Sequence, residues 1–111
     1  MHMSDFKPVQ ARVEPLASSI AYADKSVVSK QLIKSPAGNI TLFAFDEGEG
    51  LSEHSAPYDA FVQVIDGEAE ITVGGVKHQV KTGEYIIMPA NIPHAVRSMG
   101  RFKMMLVMIR G

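Results

Sequence analysis

The stretch "VIDGEAEITVGG", residues 64–75, carries the pattern of a β-hairpin. Asp66-Gly67 is a turn dipeptide, "EAEITV" alternates polar and apolar residues, and Gly74-Gly75 can adopt the positive φ angles of a second tight turn. On both sides of this hairpin, from Val27 onward, turn residues recur every 8 to 12 residues, which is typical of an all-β sandwich or barrel. The predicted strands are "SVVSKQLIK", "ITLFAF", "DAFVQVI", "EAEITV", "VKHQV", "EYIIM", "HAVRSM" and "FKMMLVMI".

The composition narrows the class of protein. A chain of 111 residues with 46% apolar content predicts one domain with a real core. Eleven Lys and Arg against twelve Asp and Glu give no basic excess, so we expect neither nucleic acid nor a membrane surface as a partner. The absence of cysteine excludes disulfides and thiolate metal sites. With no signal-like N-terminal segment, these features predict a cytoplasmic protein.

A second stretch, "GEYIIMPANIPH", places Gly83, Pro89, Asn91 and His94 at the spacing of the second motif of the cupin superfamily, with Asn where the family has Gly. The sequence therefore resembles a small single-domain cupin. The resemblance implies an all-β fold, a double-stranded β-helix or jelly-roll barrel of two antiparallel sheets over residues 27–111, with residues 1–26 packed on it. It leaves the activity open, because the superfamily contains enzymes, storage proteins and regulators.

The first cupin motif is reduced in this chain. Counted back from Gly67, its glutamate position falls on Ala60, and its two histidine positions fall on His54 and Ala56. Of the three histidines and one glutamate that the resemblance implies, only His54 and His94 remain. Asp59 completes a two-histidine, one-carboxylate set if a β-bulge turns it inward, and otherwise it is a turn residue of "SAPYD". The site then holds one divalent transition metal (iron, manganese, nickel, copper or zinc), or it works without metal.

The two alanines predict space for a small organic molecule beside His54. If residues 54–64 form one unbroken strand, alternate side chains share the face of His54. A pocket with aliphatic walls and a few polar groups suits a small ligand. The predicted ligand-binding residues are Tyr58, Ala56, Ala60, Val62 and Met88, with Phe43 or Phe45 as further lining.

Two predicted strands, "ITLFAF" and "FKMMLVMI", are apolar on both faces, whereas the interior of a small barrel buries only one face of each strand. The second face predicts a homodimer through these strands, with cover by the N-terminal segment as the alternative. In that segment Val13, Leu16 and Ile20 have helical spacing, which predicts a short helix or an irregular strand.

Three functions remain open from the sequence. The first is a small-molecule-binding barrel with His54, His94 and Tyr58 in its pocket. The second is a metal-dependent oxygenase or isomerase of a small metabolite. The third is a structural or regulatory dimer without a working site.

Overall fold

The computed structural model describes residues 11–110, which form nine strands and one short 3-10 helix, Ala17–Ser19. The strands are β1 Val27–Ser35, β2 Gly38–Phe45, β3 Gly50–His54, β4 Asp59–Asp66, β5 Glu68–Val73, β6 Val76–Lys81, β7 Tyr85–Met88, β8 His94–Ser98 and β9 Phe102–Ile109. Within this part of the chain, no helix has the length and apolar character needed to cross a membrane.

The strands form two antiparallel sheets that face each other across one core. The five-stranded sheet has the order β1-β2-β9-β4-β7, and the four-stranded sheet has the order β3-β8-β5-β6. Side chains of both sheets meet in the main core, where the rings of Phe45 and Phe102 stack with centroids 4.4 Å apart. The predicted all-β jelly roll of two antiparallel sheets is confirmed.

The β4–β5 hairpin requires glycine at its turn. Gly67 has φ 78°, and a Cβ atom there would collide with the carbonyl oxygen of Arg101. Only glycine meets both conditions without strain, because it lacks Cβ and tolerates positive φ. The Asp66-Gly67 dipeptide therefore sets the register of the hairpin on which the core strands β4 and β5 depend.

The condition of one unbroken strand over residues 54–64 is not met. β3 ends at His54 in the four-stranded sheet, and β4 starts at Asp59 in the five-stranded sheet. The chain crosses between the sheets through Pro57, which has no N–H group to donate to a strand ladder. Ala56 and Tyr58 therefore lie in the connecting loop, and strict alternation resumes only at Ala60.

The N-terminal segment lies on the outer face of the five-stranded sheet. Ile20 is buried and joins Leu42 and Ala44 in a second, smaller apolar cluster. Lys103 Nζ donates a hydrogen bond to Ala17 O at 2.6 Å, and the Tyr22 hydroxyl donates to Asp66 Oδ2 at 2.6 Å. The segment thus covers part of the second apolar face of β2. Its helical part is limited to the 3-10 turn, and residues 1–10 of the predicted 1–26 segment, like residue 111 of the predicted barrel, lie outside the described residues.

Candidate functional site

The two predicted histidines meet at one end of the sandwich. His54 ends β3, His94 begins β8, and they are direct partners in the register of the two strands. Their Nε2 atoms are 3.3 Å apart, and the rings meet edge to face with centroids 4.5 Å apart. The strand pairing therefore brings together two side chains that are 40 positions apart in sequence.

Backbone carbonyls fix the orientation of both rings. His54 Nδ1 lies 2.8 Å from Ser52 O, and His94 Nδ1 lies 3.2 Å from Ile92 O. A carbonyl oxygen can only accept, so each Nδ1 carries the hydrogen, and each neutral ring keeps its lone pair on Nε2. The two unprotonated nitrogens thus lie 3.3 Å apart, an arrangement that a proton or a metal cation between them would stabilise.

His94 is buried and His54 is exposed. Burial lowers the pKa of His94, the hydrogen bond to Ile92 opposes this shift, and the charge of His54 adds to the lowering. His94 therefore stays in the neutral, metal-binding form further into the acidic range than an ordinary histidine does.

The predicted carboxylate ligand, Asp59, is not grouped with the histidines. Its Oδ1 atom accepts a hydrogen bond of 2.9 Å from the backbone N–H of Ala90. Across residues 11–110, no three His, Cys, Asp or Glu side chains lie close enough together to hold a metal ion. Asp59 instead links the start of β4 to the loop that leads from β7 to β8.

The predicted lining residues have two different environments. Ala60 and Met88 are cross-strand partners in the five-stranded sheet, and both are buried in the main core together with Val62. The loops 55–58 and 89–93 join them to His54 and His94, so Ala60 and Met88 lie at the histidine end of the sandwich and Val62 lies deeper. Phe43 and Phe45 also belong to the packed interior.

The two remaining residues of the predicted set, Ala56 and Tyr58, lie in the loop between β3 and β4. The backbone carbonyl of Ala56 accepts a hydrogen bond of 2.8 Å from Asn91 N, which ties the two crossing loops together. The Tyr58 ring lies under the guanidinium of Arg110, with 4.8 Å from Cζ to the ring centroid. This contact brings an aromatic ring and a positive charge together beside the loop between β3 and β4.

The sequence reasoning missed two valines that share a row with the histidines. Val73 is the partner of His94 on β5, and Val76 is the partner of Val73 on β6. The row therefore runs Val76, Val73, His94, His54 across all four strands, on the face that packs against the core. The alternation in "EAEITV" and "VKHQV" contains this information, but it becomes usable only once the strand partners are known.

A jelly roll of two sheets, with one histidine from each of the two motifs described above, defines a class of protein, the small cupin barrels. The chain belongs to the cupin family, since the cupin domain model (Cupin_2) matches residues 41–110.

Solved structures and a curated protein extend this relationship. The chain is 34% identical to the SPY1581 protein of unknown function from Streptococcus pyogenes, covering 92% of this chain and 90% of that one with a TM-score of 0.87. It is 42% identical to a cupin 2 conserved barrel domain protein from Leptotrichia buccalis, covering 85% of this chain and 46% of that one with a TM-score of 0.82. Protein SchB of Streptomyces halstedii is 36% identical over 61 residues, which are 54% of this chain and 44% of SchB. The match therefore spans less than half the length of that curated relative.

Proposed function

We propose that this chain is a small-molecule-binding cupin whose site is the His54–His94 pair, and that the pair holds one divalent transition metal ion. The observation that supports this most directly is the 3.3 Å separation of the two Nε2 atoms, with each Nδ1 anchored on a backbone carbonyl. A metal-binding histidine usually donates the N–H of its other ring nitrogen to an acceptor such as a backbone carbonyl, and this hydrogen bond fixes the tautomer and the ring orientation.

The distance between the nitrogens fits a shared ion. Two imidazole nitrogens bound to one tetrahedral ion at zinc–nitrogen distances are about 3.3–3.4 Å apart. The pair in this chain has that nitrogen–nitrogen spacing, so a shared ion would require the two rings to turn but not the two strands to move apart. When bound, the ion would supply a Lewis acid that polarises an oxygen atom of the ligand.

Two protein nitrogens leave coordination positions for a ligand and water. Because Ala60, Met88 and Val62 are packed in the core, we propose that the ligand lies at the mouth of the barrel, with Ala60 and Met88 as its floor. Ala56 and Tyr58 line one side, and the exposed Val76 lies on the other. This is a shallow site with one polar end, suited to a small and partly apolar molecule.

The metal content of the purified protein tests the site. We expect close to one equivalent of a divalent transition metal per chain after loading and dialysis. His54→Ala and His94→Ala should each reduce the content at least about tenfold, because a single imidazole holds such an ion weakly. His78→Ala is the matched control, because His78 is exposed on β6 and should leave the content unchanged. Metal that stays bound in both site variants would refute the assignment.

A ligand screen separates metal binding from small-molecule binding. Thermal shift with small oxygen-rich and apolar metabolites should give hits that depend on both histidines. Hits of equal size in the metal-free protein would show that the imidazoles bind the ligand directly. Hits retained in His54→Ala and His94→Ala would place the ligand elsewhere and refute the proposal.

A metal-dependent enzyme, an oxygenase or isomerase of a small metabolite, is the second candidate. Two protein ligands are fewer than the three usual at a catalytic metal site, but such sites keep a position open for substrate or water, and the His54–His94 pair would leave such positions open. Turnover of a hit compound by the metal-loaded protein, lost in His94→Ala, would promote this candidate. We also propose a cytoplasmic location, supported by the absence of cysteine.

A further inference from the structure

A row of five side chains crosses the inner face of the five-stranded sheet at the histidine end. The register pairs Asn39 with Lys34 on one side and with Met108 on the other. It then pairs Met108 with Ala60, and Ala60 with Met88. Directly opposed residues share a face of the sheet, and Ala60, Met88 and Met108 pack in the main core. The row therefore faces the four-stranded sheet, and we call these five residues the inner row.

The inner row changes from polar to apolar along its length. Ala60 on β4 and Met88 on β7 are buried. Asn39 on β2 is half-buried, and Lys34 on β1 is exposed. The Thr41 hydroxyl donates a hydrogen bond of 3.4 Å to Asn39 Oδ1, so the amide nitrogen of Asn39 remains as a donor. The β1–β2 end of the row therefore offers an ammonium group and an amide N–H.

Arg110 adds a second cation to this polar end. Its backbone N–H donates a hydrogen bond of 2.9 Å to Ala37 O, so the pairing of β9 with β2 continues one residue past Ile109. Alternation then gives Arg110 the same face as Met108. Its guanidinium lies against the Tyr58 ring, 4.8 Å from Cζ to the ring centroid. Among the described residues, no Asp or Glu side chain forms an ion pair with Arg110, so the guanidinium can bind another acceptor.

The histidine pair lies across from the polar end of the inner row. β6 packs against β4 and β7, so the strand orders place β5 and β6 over β4 and β7, and β3 and β8 over β9 and β2. His54 on β3 and His94 on β8 therefore face the polar end. Val73 on β5 and Val76 on β6 face the apolar end. This end of the sandwich thus has a polar half and an apolar half.

We propose that the site binds a small carboxylate with an apolar tail, and that Arg110 holds the carboxylate group. This inference rests on the proposed ligand site at the histidine pair and adds the chemical class of the ligand. A guanidinium binds a carboxylate through two parallel hydrogen bonds in one plane, and stacking against the Tyr58 ring restricts that plane. The amide of Asn39 and the charge of Lys34, on the same face, strengthen the attraction.

The polar groups on this face select an anion over a neutral polar molecule. Lys34, Asn39 and Arg110 all present donors, whereas a sugar hydroxyl both donates and accepts and so needs acceptors as well. The carboxylate of Asp59, at the start of β4, already accepts a hydrogen bond from Ala90 N. A carboxylate ligand is therefore matched in charge and in hydrogen bonding.

The apolar half of the site fits the tail of the ligand. Ala60 and Met88 lie beneath it, and Val73 and Val76 lie opposite. Facing sheets are ~10 Å apart, so one small molecule can contact both walls. With the carboxylate at Arg110, the tail extends across the inner row towards β7.

Binding of hexanoate to the metal-free full chain tests the proposal, because without metal the carboxylate has no ion to bind. NMR titration of the isotope-labelled protein measures the Kd. Hexanoate should bind at least ~10-fold more tightly than hexanamide, which has the same tail but no charge. The amide signals that shift should include those of Tyr58 and Arg110.

Substitutions of arginine show which cation holds the carboxylate. Arg110→Gln should raise the Kd of hexanoate at least ~10-fold, because it removes a charge-assisted hydrogen bond. Arg110→Lys should have a smaller effect, because it keeps the charge but not the planar pair of donors. Arg97→Gln is the matched control: Arg97 is exposed on β8, next to the buried Val96, and points to the outer face of the other sheet. Its loss should leave the Kd unchanged.

The metal content of the same variants separates this inference from the metal site. Arg110→Gln should hold as much metal as the wild type, which shows that the barrel and the histidine pair are intact. A chain that takes up no metal but binds hexanoate through Arg110 supports the carboxylate site and refutes only the metal site. A chain that holds metal but binds hexanoate equally well after Arg110→Gln refutes only the carboxylate site.

Two further results would overturn the proposal. The first is a wild-type chain that does not bind hexanoate at millimolar concentrations. The second is hexanamide that binds as tightly as hexanoate, because the charge of the ligand would then contribute nothing.

Discussion

The cover that the N-terminal segment gives to β2 leads to a quantitative prediction. Ile20 is 5% exposed and packs against Leu42 and Ala44, which are both fully buried. Ile20→Ala removes three carbon atoms from this cluster and leaves the polar attachments at Ala17 and Tyr22 in place. The variant therefore isolates the apolar contribution of the segment from its hydrogen bonds.

The expected cost follows from the size of the deletion. At ~0.8 kcal/mol per buried methylene, three carbons amount to about 2.5 kcal/mol of unfolding free energy. Because the cluster lies on a sheet face and can settle around a small side chain, we expect only a small additional cavity term. For a domain of this length the loss corresponds to a fall in Tm of roughly 10 °C.

Urea unfolding followed by circular dichroism measures this change, at a fixed protein concentration because association shifts apparent stability. Val13→Ala is the matched control in the same segment. Val13 is fully exposed (101%), so its truncation should change stability by no more than ~0.5 kcal/mol. If Ile20→Ala costs no more than Val13→Ala, the segment does not stabilise the sheet and its cover of β2 is not an energetic contact.

Three further predictions concern single positions. Gly67→Ala should cost at least ~3 kcal/mol, because the new Cβ meets the Arg101 carbonyl at positive φ, whereas Gly48→Ala, also at positive φ but in open space, should cost about 1 kcal/mol. Asn91, with φ 64°, should tolerate Gly within ~0.5 kcal/mol and lose about 1 kcal/mol as Ala. The pKa of Asp46 is lowered to about 2, first by the hydrogen bond from Lys25 N and then by that from Arg101. Because folding lowers this pKa, the ionised Asp46 carboxylate stabilises the fold fully above its ordinary pKa near 4, and this stabilisation is lost as pH falls towards about 2. In Asp46→Asn, the unfolding free energy should therefore fall less steeply with decreasing pH in this range.

Urea unfolding checks all three, the last one between pH 6 and pH 2. Equal costs for Gly67→Ala and Gly48→Ala would show that the backbone relieves the clash. A stable Asn91→Ala variant would show that the positive φ is not required at the β7–β8 loop. An unchanged acid slope in Asp46→Asn would assign the loss of stability in acid to other carboxyl groups.

Most strands could be predicted because turn residues and alternation are local properties. "EAEITV" coincides with β5 and "FKMMLVMI" with β9. β3 was missed because it is an edge strand, exposed along most of its length and paired only with β8. Residues Leu51 to His54 show no alternating apolar pattern. Whether they form a strand depends on their pairing with β8, which the sequence alone does not reveal.

The candidate site was only partly predictable for the same reason. Motif spacing pointed to both histidines, but their 3.3 Å separation and the two carbonyl anchors depend on the register of β3 with β8. Alternation alone could not locate Ala56 and Tyr58, because the chain changes sheets between His54 and Asp59. The valines beside His94 belong to a different hairpin, and no local pattern connects them to the site.

The position of β9 has a consequence for how the chain is made. β9 lies near the C-terminal end of this sequence, yet it is the middle strand of its sheet and separates β2 from β4. During synthesis, β2 and β4 leave the ribosome before β9 does. Each therefore has an unpaired edge until β9 has been made and pairs with both. Sheet closure is then a single late event, and a nascent or truncated chain that lacks residues 102–109 exposes two strand edges to other chains.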